Sequence, residues 1–418
     1  MSSSLVFDLV VDDEGKLELP SDLARRFNLV PGSRICIEAG PRGWLMHRPP
    51  TELAKVYVEP TNRCNLSCAT CMRNTWDEPF GDMSPDVWAR VMAGIKAFSR
   101  PPDIFFGGIG EPLAHPDILR MVREAKALHG RVELITNGIS LTGSVAAELV
   151  AAKLDRLWVS LDGATPGGYF DVRLGDALPT ILANLRCLQE LRSSTLLHKP
   201  ALGVAFVAMR RNVAELPQIV DLAAELGADR VHVSNLLAYA PEMLQEVLYG
   251  ATSPATMPIV QHRGIQVTLP SFPVTEQTRP VLAALAGDSR LELWLGDGSS
   301  TVHADWCPFI EMGSTSVRWD GAVSPCPPLL HQHTHHLADC ARRSEHFAVG
   351  HLLSQDLAAI WLSAEYQALR QRIQRFDFSP CTTCNTCDMA AHNIEDCVGN
   401  TAPTCGGCFW AQGLIRCP

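Results

Sequence analysis

Three cysteines spaced C-x3-C-x2-C, Cys64, Cys68 and Cys71, are the residues whose type and spacing most directly suggest chemistry. Three thiolates close together can hold three irons of a [4Fe–4S] cube, which leaves the fourth iron open to another ligand. A catalytic zinc site with one open position follows the same logic. Zinc is the bland alternative here, but structural zinc sites favour paired C-x2-C elements, and this stretch has one such pair. A ferredoxin-type site would want a fourth cysteine nearby, and none lies between Cys71 and Cys187.

The rest of the cysteine pattern points the same way. The chain has 15 cysteines in 418 residues, an odd number that excludes complete disulfide pairing. Most lie from Cys307 onward. The N-terminus, MSSSLVFDLVVDDEG, lacks the basic and apolar regions of a signal peptide, and no apolar run approaches the ~20 residues of a membrane helix. The expectation is a cytoplasmic, non-membrane protein, in which clustered cysteines bind metal rather than pair. With 46% apolar and 19% charged residues, a sizeable core is available. A net charge of −10 argues against a broad nucleic-acid footprint.

Elements must now position the three thiols. From residue 55 to about 236, strand and helix patterns alternate. Strands are expected at Val56–Glu59, Asp103–Gly107, Arg131–Ile135, Arg156–Leu161, Leu202–Ala208 and Arg230–Ser234. Between them lie amphipathic helices such as Ile118, Met121, Val122, Ala125 and Leu128, with Pro116 at the start and Gly130 at the end. Six βα units demand parallel strands with right-handed crossovers. Six are too few for a complete eight-stranded barrel, so an open barrel and a doubly wound sheet are the two options. Residues 241–300 read as an irregular connector with one strand at Ile265–Leu269. The C-terminal region then gives a hairpin about Asp320-Gly321, one helix over Leu357–Arg375, and seven cysteines from Cys381 to Cys417. That last stretch has too little apolar periodicity to bury a core, so metal clusters are expected to hold it.

The C-x3-C-x2-C loop after the first strand of such a series resembles the signature of the radical S-adenosylmethionine (SAM) superfamily. Further segments fall at strand C-terminal ends, as in that family. Gly107-Gly108-Ile109-Gly110-Glu111-Pro112 is similar to its GGE-type segment, which holds the SAM amino group. Asn137, in Thr136-Asn137-Gly138, ends the third strand. Ser160 and Asp162, in Ser160-Leu161-Asp162-Gly163, look like the ribose-contacting motif. Arg173 falls where relatives place a cation against the SAM carboxylate, a task that suits a guanidinium. The resemblance thus implies that Cys64, Cys68 and Cys71 ligate the SAM-binding [4Fe–4S] cluster. It also implies that Gly108, Gly110, Glu111, Asn137, Ser160, Asp162 and Arg173 contact SAM. Many relatives carry an aromatic residue before the third cysteine, where this chain has Thr70.

A second resemblance covers the C-terminus. Cys307-x13-Gly321-x4-Cys326 is similar to the opening of a SPASM domain, an auxiliary-cluster extension of many radical SAM maturases. Cys381, Cys384, Cys387, Cys397, Cys405, Cys408 and Cys417 follow, with spacings that match the domain's first pair and then depart. Two auxiliary [4Fe–4S] clusters are implied, with one of the nine cysteines surplus. Cys381/Cys384 and Cys405/Cys408 also look like zinc-knuckle pairs, so zinc in part of the tail stays open. The phrases Glu59-Pro60-Thr61-Asn62-Arg63-Cys64, Val317-Arg318-Trp319-Asp320-Gly321 and Pro403-Thr404-Cys405-Gly406-Gly407-Cys408 resemble the maturases associated with tungsten-containing aldehyde ferredoxin oxidoreductases. The first fifty residues lie outside that likeness. Their strand–turn–strand–helix–Pro31-Gly32–strand pattern is similar to AbrB-type regulators, and a docking or dimerising element suits them better than DNA binding.

The expected fold is therefore α/β: a partial (β/α)6 radical SAM barrel (51–240) with a small N-terminal β-rich swapped-hairpin-like module (1–50), a connector (241–300) and a cysteine-rich SPASM-like domain (301–418). The implied activity is reductive cleavage of SAM to a 5′-deoxyadenosyl radical by an oxidoreductase-type maturase of a tungsten or molybdenum pterin oxidoreductase or its cofactor. Implied partners are that oxidoreductase or its cofactor and an electron donor such as ferredoxin or flavodoxin, with a possible homodimer through residues 1–50. A peptide- or protein-modifying SPASM enzyme is the alternative within the class. Outside it stands a non-catalytic iron–sulfur or zinc module on an AbrB-type regulator. No general acid or base can be named. His331, His333, His335 and His336 read as a solvated loop, with metal binding as the less favoured alternative, Cys187 reads as a buried core thiol, and Trp76, Asp77 and Glu78 read as a capped turn or part of a substrate side.

Overall fold

The structure is a computed structural model that describes residues 10–11, 13–14, 16–20, 24, 35–40, 43–173, 176–250, 259–262, 264–270, 273–286, 306–337, 340–382, 384 and 387–418. Its N-terminal part holds two antiparallel pairs, β1 (Val10–Val11) with β2 (Leu17–Glu18), and β3 (Cys36–Gly40) with β4 (Gly43–His47). The second strand of the latter hairpin was not anticipated from sequence. The helix expected over residues 20–27 falls mostly outside the described residues.

Six parallel strands follow in sequence order: β5 (Lys55–Val58), β6 (Asp103–Phe106), β7 (Val132–Thr136), β8 (Arg156–Ser160), β9 (Ala201–Ala208) and β10 (Arg230–Asn235). Each observed strand matches its expected position to within about two residues. Helices alternate with them: α1 (Pro85–Lys96), α2 (Ile118–Lys126), α3 (Gly143–Ala151), α4 (Pro166–Arg173), α5 (Leu178–Ser193) and α6 (Leu216–Glu225). Local chemistry sets their starts. Ser84 caps α1 by accepting from the Val87 N–H at 3.2 Å, with Pro85 at the first helical position, and Thr142 caps α3 in the same way. Alternation decides the faces. Val56, Val58, Ile104, Phe106, Leu134, Leu157, Val159, Val204, Phe206, Val231 and Val233 are buried and form one core with the helices. The opposite face carries polar and aromatic side chains. Lys55 lies over the Tyr57 and Phe105 rings, and Trp158 donates to Glu133 and meets His232 edge-on.

The sheet extends beyond six strands on both sides. On one, β10 pairs parallel with β12 (Ile265–Thr268), which pairs antiparallel with β11 (Ile259–His262). The expected connector thus contributes a hairpin, with a further helix, α7 (Thr278–Ala286). On the other, β13 (Ser314–Val317) lies parallel to β5 in the register Ser314↔Lys55 to Val317↔Val58. β14 (Ala322–Ser324) and β17 (Gly350–His351) continue it. The hairpin expected about Asp320-Gly321 is present, with Gly321 at φ +100°. The place of its first strand beside β5 was not visible, because strand order across a sheet leaves no local signature.

Three further expectations are corrected. The histidine run is not a solvated loop. His333–Leu337 forms β15, paired with β16 (Cys340–Ser344), and His331, His333 and His335 are all buried. The single helix over Leu357–Arg375 is two, α9 (Leu357–Leu362) and α10 (Ala364–Arg375), preceded by the short α8 (Pro308–Glu311). Ser363 takes an extended conformation there and caps the second helix through its own Oγ, so the break has a sequence cause. Cys187 is half-buried rather than fully enclosed.

Candidate functional site

The loop carrying Cys64, Cys68 and Cys71 leaves the C-terminal end of β5 and is stapled from below. Thr61 Oγ1 donates to Gly81 O and Asp82 Oδ1 at 2.9 and 2.6 Å, and Asn62 bonds Pro79 O and the Gly81 N–H at 3.0 and 2.8 Å. The Glu111 N–H donates to Arg63 O at 2.8 Å, which ties the loop to the segment after β6. That approach is close. A Cβ on Gly110 would stand 2.3 Å from Thr61 O and 2.6 Å from Arg63 O, and one on Gly108, at φ +135°, would strike Glu59 Cγ at 2.6 Å. Both positions therefore need glycine.

The other expected SAM residues gather at the same strand ends. Glu111 is buried. Its Oε1 accepts from Thr136 Oγ1 and the Leu113 N–H, and its Oε2 from the Asn137 N–H, so it braces β6 to β7. Asn137 Nδ2 donates to Asn65 Oδ1 at 2.7 Å and approaches Cys64 Sγ at 3.7 Å. Ser160 ends β8. Asp162 is buried and accepts from the Val207 N–H at 2.8 Å, joining the ends of β8 and β9. Arg173 is the last residue of α4, and its side chain lies outside the described residues.

The three thiols lie within electrostatic reach of one another. Burial pushes the Cys64 and Cys71 thiols above their ordinary range, which a bound cation reverses by stabilising thiolate. The Leu66 N–H points at Cys64 Sγ from 3.4 Å. Soft sulfur donors with N–H groups aimed at them suit an iron–sulfur cluster. Among the described residues, no three His, Cys, Asp or Glu side chains converge on one metal-ion position. A cube, which spreads its thiolates over several irons, makes no such demand.

The C-terminal cysteines divide in two. Cys307, Cys326, Cys405 and Cys408 form one mutually interacting group, in which burial holds the Cys307 thiol at about 12 and the other three above the usual range. Cys381 interacts with Cys397, whose Sγ lies 3.0 Å from Ser379 Oγ. Cys384 is half-buried, and Cys387 and Cys397 are exposed. Cys417 stands apart. Trp410 Nε1 donates to its sulfur at 3.3 Å, and Lys55 and Cys408 lie within electrostatic reach of it. The adjoining tail is fixed to the end of β10. Asn235 Nδ2 donates to Leu414 O at 3.0 Å, and the Arg416 N–H donates to Ser234 Oγ at 3.1 Å.

Sequence reasoning missed the group that joins these two regions. His331 lies between Glu59, at the end of β5, and Glu78, beyond the cluster loop, at 2.8 and 2.7 Å. The clue available was Glu59 itself, an acidic residue in an otherwise apolar strand end.

Comparison with known proteins agrees with this geometry. The pattern of the Radical SAM superfamily matches residues 58–196, and that of the SPASM iron–sulfur cluster-binding domain matches residues 307–388. The chain is 30% identical over 374 residues to the "Tungsten-containing aldehyde ferredoxin oxidoreductase cofactor-modifying protein" of Pyrococcus furiosus, covering 87% of this chain and 96% of that protein. The chain belongs to the radical SAM superfamily. As a radical SAM enzyme with a SPASM domain, it carries [4Fe–4S] and SAM-binding functions. It is also 30% identical to the PqqA peptide cyclase of Streptomyces rochei over 44% of this chain and 49% of that one. Streptococcus suis SuiB bound to S-adenosylmethionine shares the fold at TM-score 0.52 and 15% identity, with 80% of this chain and 71% of that chain covered. The structure of anSMEcpe with bound AdoMet does so at 0.51 and 15%, with 79% and 87% covered. No helix among the described residues is long and apolar enough to cross a membrane.

Proposed function

We propose that this radical SAM enzyme is a maturase of oxidoreductase type, acting on the tungsten- or molybdenum-pterin cofactor of a partner oxidoreductase or on that partner. The observation that carries the reading is the match along 96% of the Pyrococcus furiosus cofactor-modifying protein, through barrel and C-terminal domain alike. In this reading Cys64, Cys68 and Cys71 hold the SAM-binding cluster. Gly108, Gly110, Glu111, Asn137, Ser160, Asp162 and Arg173 form the SAM pocket. When bound, such a cluster supplies the electron that cleaves SAM to methionine and a 5′-deoxyadenosyl radical.

The residues' own work is placement. Gly110 lets backbone approach the cluster loop, Gly108 leaves room for the Glu59 side chain, Glu111 locks the two strand ends that face the loop, and Asn137 orients Asn65 beside Cys64. Glu111's carboxylate oxygens are engaged with Thr136, Leu113 and Asn137, which supports a bracing share in its role. For the auxiliary clusters we assign Cys307, Cys326, Cys405 and Cys408 to one and Cys381, Cys384, Cys387 and Cys397 to the other, with Cys417 as the surplus thiol. The mutual influence of the first four supports this division. Ferredoxin or flavodoxin supplies electrons, and residues 1–50 dimerise.

Anaerobic reconstitution followed by SAM and dithionite tests the enzyme. 5′-Deoxyadenosine is expected. Its absence, with iron content unchanged in a Cys64/Cys68/Cys71 triple alanine variant, sinks the reading. The peptide-cyclase likeness supports a second substrate class. A short precursor peptide encoded next door and modified by the enzyme would displace the pterin reading.

A further inference from the structure

His331 belongs to the C-terminal domain, yet both its ring nitrogens are committed to the barrel side. Nε2 meets Glu59 Oε1 and Oε2 at 2.8 and 3.1 Å, and Nδ1 meets Glu78 Oε2 at 2.7 Å. The side chains of His331 and Glu59 are 1% and 0% exposed, so this is a dry contact. Glu59 also accepts from the Ile109 N–H at 3.1 Å, and its Cγ lies 2.6 Å from where a Cβ on Gly108 would stand. Glu78 accepts in addition from the Gln332 N–H at 3.0 Å, and Trp76 packs edge-on against the imidazole at 4.5 Å. One histidine therefore ties the cluster-loop flank and the Gly107–Glu111 segment to the domain that follows.

We propose that His331 is a positioning residue: as an imidazolium clamped between Glu59 and Glu78, it sets the backbone of Gly108 and Ile109 against SAM and so makes SAM binding depend on a docked C-terminal domain. This rests on the reading that the Gly107–Glu111 segment contacts SAM. The charge state suits the task. Burial opposes the cation, but Glu59 first and Glu78 next offset it, and the imidazole titrates at about 9 instead of 6.5. The other groups that face the triad are Arg318, whose Nη1 lies 3.8 Å from Glu78 Oε2, and the imidazoles of His333 and His346, which burial keeps below the ordinary range. Arg318 is held by Asp320, so titration of the triad in the alkaline range falls to His331. A pKa raised on folding gives a contribution complete below pH 6.5 and lost as pH rises through about 9.

The test uses the reconstituted full chain, with SAM binding measured by equilibrium dialysis without reductant. Iron content and the steady-state kinetics of SAM cleavage, resolved into KM and turnover rate, are followed beside it. H331Q keeps the shape but removes the charge and leaves two carboxylates facing each other. It is expected to raise the SAM Kd and KM about tenfold, with the turnover rate within twofold and iron unchanged. The charge-balanced E59Q/H331Q variant is expected to recover most of that loss. Wild-type Kd is expected to climb between pH 8 and 10, and the double variant's to stay flat. Before reconstitution, 15N-histidine NMR should show the resonance lost in H331Q still doubly protonated at pH 8. Wild-type-like SAM binding in H331Q, a flat wild-type Kd through pH 9, or a His331 titration at or below 6.5 overturns the proposal. If H331Q does not fold, the wild-type pH profile of the SAM Kd decides alone. A wild-type protein that neither binds nor cleaves SAM instead removes the underlying functional reading.

Discussion

Replacing Gly110 with alanine probes the closest approach in the site. The added methyl would sit 2.3 Å from Thr61 O, 2.6 Å from Arg63 O and 2.8 Å from Asn62 C, all backbone atoms. No side chain can swing away, so the strain must move the chain, and Thr61 and Asn62 are pinned by four bonds to residues 79–82. Overpacking of a tight site costs about 1–3 kcal/mol, and the immobile neighbours place Gly110→Ala near the upper end. The yielding part should be the loop between Arg63 and Cys71, since the 2.8 Å bond from the Glu111 N–H to Arg63 O is the first to stretch. Thermal unfolding, iron per chain and the KM for SAM should be measured together. The expectation is a lower midpoint with SAM-cluster iron reduced or the KM raised. Gly167→Ala, where nothing stands within 4 Å, is the control, and should be neutral or stabilising by up to about 1 kcal/mol. Gly110→Ala with unchanged iron, KM and midpoint would falsify the close-approach argument.

The proposed cluster allocation predicts about twelve irons per reconstituted chain. Alanine at Cys307, Cys326, Cys405 and Cys408 should remove about four of them, whereas Cys417→Ala should remove none; four irons in the wild type would end the auxiliary assignment. Asp155 gives an acid-side signature. Burial raises its pKa, but Lys126 and Lys199, each at 2.5 Å, outweigh this and hold the carboxyl below its ordinary 3.8. Its contribution is therefore present above that value and lost as pH falls below it, and Asp155→Asn should flatten this limb of a pH–stability curve. Ser363→Ala should cost about 1 kcal/mol by uncapping α10, read as a lower urea midpoint; an unchanged midpoint would remove Ser363 as the cause of the helix break.

The barrel was readable in the sequence because each strand is a short apolar run and each following helix repeats at 3.6 residues, with glycine, proline or a hydroxyl at its start or end. Val56–Glu59 and Leu178–Leu188 show these local periods plainly. The cysteine spacing was readable for the same reason: it is local. What could not be read was set by partners far along the chain. His331, His333 and His335 keep a strand's period of two, but histidine is not apolar, and the alternation passed for a polar loop. Nothing near Glu59 announces a partner 272 residues away. Dividing the C-terminal thiols likewise requires knowing that Cys307 and Cys326 fold beside Cys405 and Cys408, which spacing alone does not contain.

The pairing of β13 with β5 bears on how this protein can be recombined with its relatives. The boundary between the two family-matched segments invites a cut near residue 307. Yet the four residue pairs from Ser314↔Lys55 to Val317↔Val58 run across that cut. A chimera assembled there asks the incoming half to supply a strand edge matched to a foreign β5, and a one-residue slip would turn Val317 from the core to the opposite face. A cut placed after β17 keeps β5, β13, β14 and β17 in one parent and avoids the mismatch. The exchangeable piece of this architecture is therefore smaller than the C-terminal family match, and begins only after the shared sheet has been left behind.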